Sequence, residues 1–294
     1  MSPVQLTSYP GLDDRIVVIR AGDLVDAVFV RTERFNVLID TLDTPDACRA
    51  ALDQLGPGVQ ERPLIVVNSH MDWDHFWGNS AVAQRGPIVA HERALQRFRS
   101  PAIQENLRRK SQQDARFADL TLSPPTVTFS DRLRLEGGDL TLELFPTPGH
   151  TPDHIAAWIP ELRVCLAIDA VESPIPKVWS DDLDDLRTLI TSLRAIQALG
   201  AEHVVLAHGQ TSSPAVVDAN LAYFAALAER VEKSMGSLDP TDPKSLPKGF
   251  DLWDLVPLPA TFSSESRAFY EAFHLSNLRA TIKSVRSRKS TASE

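Results

Sequence analysis

Cysteine is almost missing from this chain, with two in 294 residues, Cys48 and Cys165. They lie far apart in apolar surroundings, DACRAAL and RVCLAI, without C-x-x-C spacing, which excludes a disulfide framework and a cysteine-based metal cluster. Both read as small buried hydrophobes of a reducing compartment. Long apolar runs are missing too. No stretch approaches the roughly 18 uninterrupted apolar residues of a membrane span, and the opening MSPVQLTSYPGLDDR lacks the basic and apolar regions of an export signal. The sequence therefore predicts a soluble, cytoplasmic protein without a membrane partner. Positive charge is in deficit, with 30 Lys and Arg against 39 Asp and Glu and a net charge of −9. That balance argues against a nucleic-acid partner, whose phosphates would demand a basic surface.

What is present is an ordinary globular composition, 43% hydrophobic and 23% charged, which argues against disorder. Short β-rich runs open the chain, IVVIR (16–20), DAVFVRT (26–32) and FNVLID (35–40), and predict a meander. TPDACRAALDQL (44–55) predicts a helix with Thr44 as N-cap and Pro45 at its first position. PLIVVNSH (63–70) is a continuous apolar run of the kind buried on both faces of a sheet. A short strand follows at PIVAH (87–91), then a polar helical segment over about 91–119, read as a lid-like insertion.

Strands return at TVTFS (126–130), RLRLEG (132–137) and DLTLELFPT (139–147), where Leu140, Leu142 and Leu144 alternate on one face. HIAAWIP (154–160) and RVCLAID (163–169) give another pair. A helix over 181–199, acidic at its start and ended by Gly200, leads to the strand HVVLAH (203–208) and a helix over about 214–235. Residues 237–262, rich in Pro, Asp and Lys, predict a surface connection. A last helix over 263–285 runs into a basic tail that reads as a solvated helix end.

The chemistry concentrates where apolar strands end. SHMDWDH (69–75) offers His70, Asp72, Asp74 and His75, and His150, Asp169 and His208 each follow a strand. Side chains at neighbouring strand ends converge on one rim of a sheet. Imidazole and carboxylate ligands suit zinc, iron or manganese.

The ordered set HMDWDH, PTPGHTPDH, LAIDA and LAHG resembles the metallo-β-lactamase fold superfamily of metal-dependent hydrolases over about residues 10 to 235. The resemblance implies an α/β (α+β) four-layer αββα sandwich, here with a C-terminal helical extension. It divides the chain into 1–236, carrying 91–120 as a helical insertion, and 237–294, a linker, helix and basic tail packing on the same domain. It implies two divalent metal ions, zinc, manganese or iron. His70 and His150 would bind the first ion, with Asp72 standing where the family usually has a second histidine. Asp74, His75 and His208 would bind the second, with Asp169 bridging. Asp74 would also be catalytic, orienting a metal-bound hydroxide that attacks an ester, thioester, lactone or related bond of a small-molecule substrate.

Asp72 departs from that pattern. An added carboxylate makes the first ion a weaker Lewis acid and favours manganese or iron over zinc. Flavodiiron reductases of the same superfamily carry a Glu at this position, so a di-iron redox enzyme is an alternative, as is a non-catalytic metal-binding module. Asp72 in an outer, hydrogen-bonded role is a further reading. His154 is either a partner to the ligands or a packed histidine; His91 and His203 read as structural. Trp73, Phe76 and Trp77 are expected to wedge the ligand loop into the core, and Gly78 and Gly149 to permit tight backbone beside it. His274 is read as packed or exposed, with the pocket as an alternative. The segment 91–120 and the helix 263–285 are expected to shape the substrate pocket. The oligomeric state is open, a homodimer included.

Overall fold

The computed structural model describes residues 3–234, 247–260 and 262–291, with side chains through 288. Two sheets lie face to face. In the first, β1 (Val4–Thr7), β2 (Ile16–Ala21), β3 (Val25–Arg31) and β4 (Asn36–Ile39) form the expected antiparallel meander, and β5 (Leu64–Val67), β6 (Ile88–His91) and β7 (Val127–Phe129) continue it in parallel. In the second, β8 (Leu133–Glu136), β9 (Thr141–Pro146), β10 (Ile155–Ile159) and β11 (Val164–Leu166) are antiparallel, and β12 (His203–Val205) adds in parallel to β11.

Alternation along β9 explains the layering. Leu140, Leu142 and Leu144 point into a core shared with Val28 and Val30 of the first sheet. Phe145 points the other way, into a second core with α5 (Leu183–Ala198), α6 (Ala215–Ser234) and α7 (Ser264–Thr291). α1 (Pro45–Leu55) packs against the first sheet, capped by Thr44, whose hydroxyl accepts the Ala47 amide at 3.2 Å. The result is the expected αββα sandwich with its added C-terminal helix. Among the described residues no helix is long and apolar enough to cross a membrane.

Around the ligand loop sit α2 (Trp73–Phe76), α3 (Glu92–Phe98) and α4 (Pro101–Gln113), the latter two forming the polar insertion. Two expectations change. β11 ends at Leu166, earlier than predicted, because Ile168 takes a left-handed turn (φ 51°) that leaves Asp169 on a single helical turn, not a strand end. Much of the predicted connection 237–262 lies outside the described residues, but Phe250 and Leu252 within it are buried in the second core. That part is anchored by apolar side chains among its polar neighbours.

Candidate metal centre

The ligand loop leaves β5 and turns sharply beneath β4. Gly78 makes this possible, since a Cβ there would meet the Thr41 carbonyl oxygen at 1.9 Å. Gly149 does the same for the second loop: φ is +131°, and a Cβ would sit 2.3 Å from the Leu189 Cα of α5. Both glycines hold a histidine-bearing loop against a neighbouring element.

Two trios result. Ligand atoms of His70, His150 and Asp169 all lie within 4.8 Å of one another, as do those of Asp74, His75 and His208. Asp169 joins them, for its Oδ2 is 3.7 Å from His70 Nε2, 3.5 Å from His150 Nε2, and 3.3 Å from both His75 and His208 Nε2. Asp74 reaches His75 at 3.8 Å and His208 at 3.5 Å. Asp72 stands outside both trios yet faces the first, with Oδ2 3.7 Å from His70 Nε2 and 3.6 Å from His150 Nε2. The structure thus gathers all seven sequence-derived candidates around one carboxylate.

The donor set fits divalent metal. His70 Nε2, His75 Nε2 and Asp169 Oδ1 are buried without a hydrogen-bond partner, a costly arrangement unless something accepts their lone pairs. The tautomers agree. His75 Nδ1 donates to Asp40 Oδ2 at 2.8 Å, which leaves Nε2 bare. The Ser69 hydroxyl donates to the same Asp40 oxygen at 2.6 Å, so His70 Nδ1 donates to Ser69 Oγ at 2.9 Å and its Nε2 is bare as well. Carboxylate support behind a histidine is the usual way to fix a ligating nitrogen. His150 Nδ1 has Glu172 Oε1 3.7 Å away, both atoms unpartnered.

Charge crowding shows in the proton affinities. Burial and the neighbouring His75 hold His70 well below the usual histidine range. Burial opposes the charged form of His208, yet Asp169, Glu172 and Asp74 together raise it to about 10. Burial and Asp169 push the Glu172 carboxyl up to about 8. Burial would raise Asp72 too, but the nearby His150 and the charges of His70 and Arg97 hold it well below the carboxylate range.

Other candidates resolve by their partners. His154 accepts the Asp169 amide at Nε2 (3.3 Å) and meets Thr147 Oγ1 through Nδ1 (2.8 Å), so it steadies the Asp169 turn. Burial and His150 lower its pKa to about 3. His91 caps α3 and His203 contacts Ser212, both structural as expected. His274 is buried, with Nε2 donating to the Phe250 carbonyl and Nδ1 accepting from Tyr223, away from the cavity. Phe76 and Trp77 are core residues, whereas Trp73 lines the cavity with Lys110 Nζ 3.2 Å from its ring centre. The expectation for Trp73 is met in part: it packs on Trp77 and Phe117 but also lines the cavity.

The cavity above the trios measures about 680 Å³. α7 supplies Phe269, Tyr270 and Phe273 to its wall. Among the described residues the insertion 91–120 contributes no lining side chain, contrary to expectation; it acts from behind, through Arg97 and Lys110.

Sequence reasoning missed Asp40, Glu172 and Arg97. Asp40 ends FNVLID, and a buried carboxylate closing an apolar strand was the available signal. Glu172 and Arg97 carried none, being an acidic residue after LAIDAV and one arginine in a polar helix.

With this geometry in view, the metallo-beta-lactamase superfamily model matches residues 20–208. The chain belongs to that superfamily. A metallo-beta-lactamase type 2 from Bacillus sp. (strain 170) is 25% identical over 173 residues, 55% of this chain and 60% of that protein. A beta-lactamase-like protein 2 homolog from Caenorhabditis elegans is 36% identical over 69 residues, 24% of this chain and 22% of that one. The chain thus spans less than two thirds of either relative.

Among solved structures, a metallo-beta-lactamase family protein from Thermus thermophilus is 19% identical with a TM-score of 0.64, covering 98% of this chain and 93% of that one. The stereoselective inverting sec-alkylsulfatase Pisa1 from Pseudomonas sp. is 19% identical with a TM-score of 0.62, covering 95% of this chain and 50% of that one. These structures show the shared fold.

Proposed function

We propose that this protein is a metal-dependent hydrolase of a small-molecule ester, thioester, lactone or related bond, working through two divalent ions. The carrying observation is the approach of Asp169 Oδ2 to within 3.3–3.7 Å of four histidine Nε2 atoms from two trios. A carboxylate so placed is suited to join two metal sites. His70, His150 and Asp72 would hold one ion, and Asp74, His75 and His208 the other. Bound there, the ions supply Lewis acidity and lower the pKa of water.

The chain's own residues do the rest. Asp74, 3.8 Å from His75 and 3.5 Å from His208, would ligate with one oxygen and orient the attacking water with the other. Asp40 and Ser69 keep two imidazoles in the ligating tautomer. Phe269, Phe273 and Trp179 give the cavity aromatic lining that favours an apolar acyl or alcohol group. Two buried free cysteines, their thiols pushed up to about 12 by burial, serve as unreactive small hydrophobes.

The test is direct. Protein purified without added metal is analysed for metal content, then assayed on p-nitrophenyl esters and simple lactones after loading with zinc, manganese or iron. Turnover that a chelator abolishes and metal restores is expected. Absence of turnover with every ion, alongside oxygen uptake by the reduced iron form, would replace this reading with the redox one.

A further inference from the structure

Every metal-facing imidazole whose rear nitrogen is accounted for has an acceptor behind it: Asp40 behind His75 and Ser69 Oγ behind His70. Glu172 Oε1 faces His150 Nδ1 at 3.7 Å, beyond hydrogen-bond reach. Position 72 is the exception. Behind Asp72 is Arg97, which has only donors to give. One guanidinium nitrogen donates to Asp72 Oδ1 at 2.7 Å and another to Asp153 Oδ1 at 2.6 Å. The side chain is 16% exposed, and its charge lies 4.7 Å from the Trp179 ring centre. The second oxygen of Asp153 accepts the Met71 amide, one residue from Asp72, at 2.9 Å.

We propose that Arg97 is a positioning residue that dictates the ligand type at position 72: donating to one oxygen of Asp72, it leaves the other to bind metal, and it excludes histidine there. The reasoning is proton bookkeeping. A carboxylate has two acceptor oxygens, so it can serve Arg97 with one and a cation with the other. A neutral imidazole has one acceptor nitrogen. If that nitrogen accepts from Arg97, the nitrogen facing the metal carries the proton and cannot ligate. The inference rests on the metal-centre reading above and adds the reason this chain departs from the usual histidine.

The test compares divalent-ion affinity of the unmodified protein, Asp72→His and Asp72→His/Arg97→Gln, by competition with a chromophoric chelator using zinc and manganese. In the double variant the introduced glutamine would offer an oxygen to the new imidazole and an amide N–H to Asp153. Asp72→His alone should weaken binding about 10- to 100-fold, the usual scale for losing a ligand's support, and the added Arg97→Gln should regain at least about 10-fold. A single variant that binds as tightly as the unmodified protein overturns the proposal, as does a double variant no better than the single.

Should the Asp72→His proteins lose their far-ultraviolet circular dichroism, Arg97→Lys and Arg97→Met in the otherwise unchanged chain carry the test. Lysine keeps a donor toward Asp72 and should hold affinity within about threefold, while methionine should lose about tenfold; equal affinities overturn the proposal. An unmodified protein that takes up no divalent ion overturns both this inference and the metal-centre reading. Affinity in the unmodified protein without the stated reversal overturns this inference alone.

Discussion

Replacing Asp40 by Asn should damage both halves of the centre at once. Asp40 is buried and accepts three hydrogen bonds, from the Ser69 amide at 2.7 Å, the Ser69 hydroxyl at 2.6 Å and His75 Nδ1 at 2.8 Å. Its backbone is left-handed, φ 64°, a conformation asparagine tolerates well, so the substitution isolates the carboxylate. An amide keeps one acceptor and turns the other atom into a donor. An N–H in place of Oδ2 faces both the Ser69 hydroxyl and His75 Nδ1, and one in place of Oδ1 faces the Ser69 amide; in either case both imidazoles lose the charged acceptor that keeps Nε2 bare. Two bonds to a charged group, at about 1.5–3 kcal/mol each, set a loss of roughly 3–6 kcal/mol in the metal-free protein. Metal affinity should fall about 10- to 100-fold, or about 1.4–2.7 kcal/mol. Urea denaturation of the metal-free protein and chelator competition read the two quantities separately. An Asp40→Asn protein that keeps both its denaturation midpoint and its metal affinity would refute the account of how His70 and His75 are held.

Three further outcomes follow from the same geometry. Glu172 has a folded-state pKa of about 8, above its unfolded value, so the metal-free protein should lose stability as pH rises from about 4.5 through 8. Glu172→Gln should flatten that decline in thermal midpoint, and an unchanged slope would show the carboxyl is not protonated there. Gly149→Ala should cost about 3 kcal/mol in urea denaturation, since its Cβ would press on the α5 backbone, and a neutral result would mean the loop can move away. Phe269 is 46% exposed at the cavity wall, and Phe269→Ala should raise KM about tenfold for long-chain esters with little effect on acetate esters. Equal changes across chain lengths would remove α7 from substrate selection.

Much of this is legible in the sequence itself. The β9 alternation, the Thr44 cap and the strand-end histidines are local signals, and local signals survive translation into structure. The ligand set was visible because each member sits beside a strand whose direction the hydrophobic pattern reveals. The supporting groups were not. Arg97 meets Asp72 across 25 positions of chain, and Glu172 meets His150 across 22, with nothing in periodicity or spacing to link them. Trp73 differs for a related reason: its neighbours Phe76 and Trp77 are fully buried, while Trp73 packs on Trp77 and also reaches the cavity. The polarity of the insertion 91–120 suggests a lid, yet its contacts brace the ligand loop from behind, through Arg97 on Asp72 and Lys110 on Trp73.

The aromatic wall on α7 lies beyond residue 208, where the superfamily match ends, while the candidate ligands lie within it. Part of the cavity wall is therefore distant in sequence from the candidate ligands, although Trp73 and Trp179 belong to the matched stretch. Changes at Phe269 and Phe273 would reshape that part of the wall while leaving every candidate ligand in place.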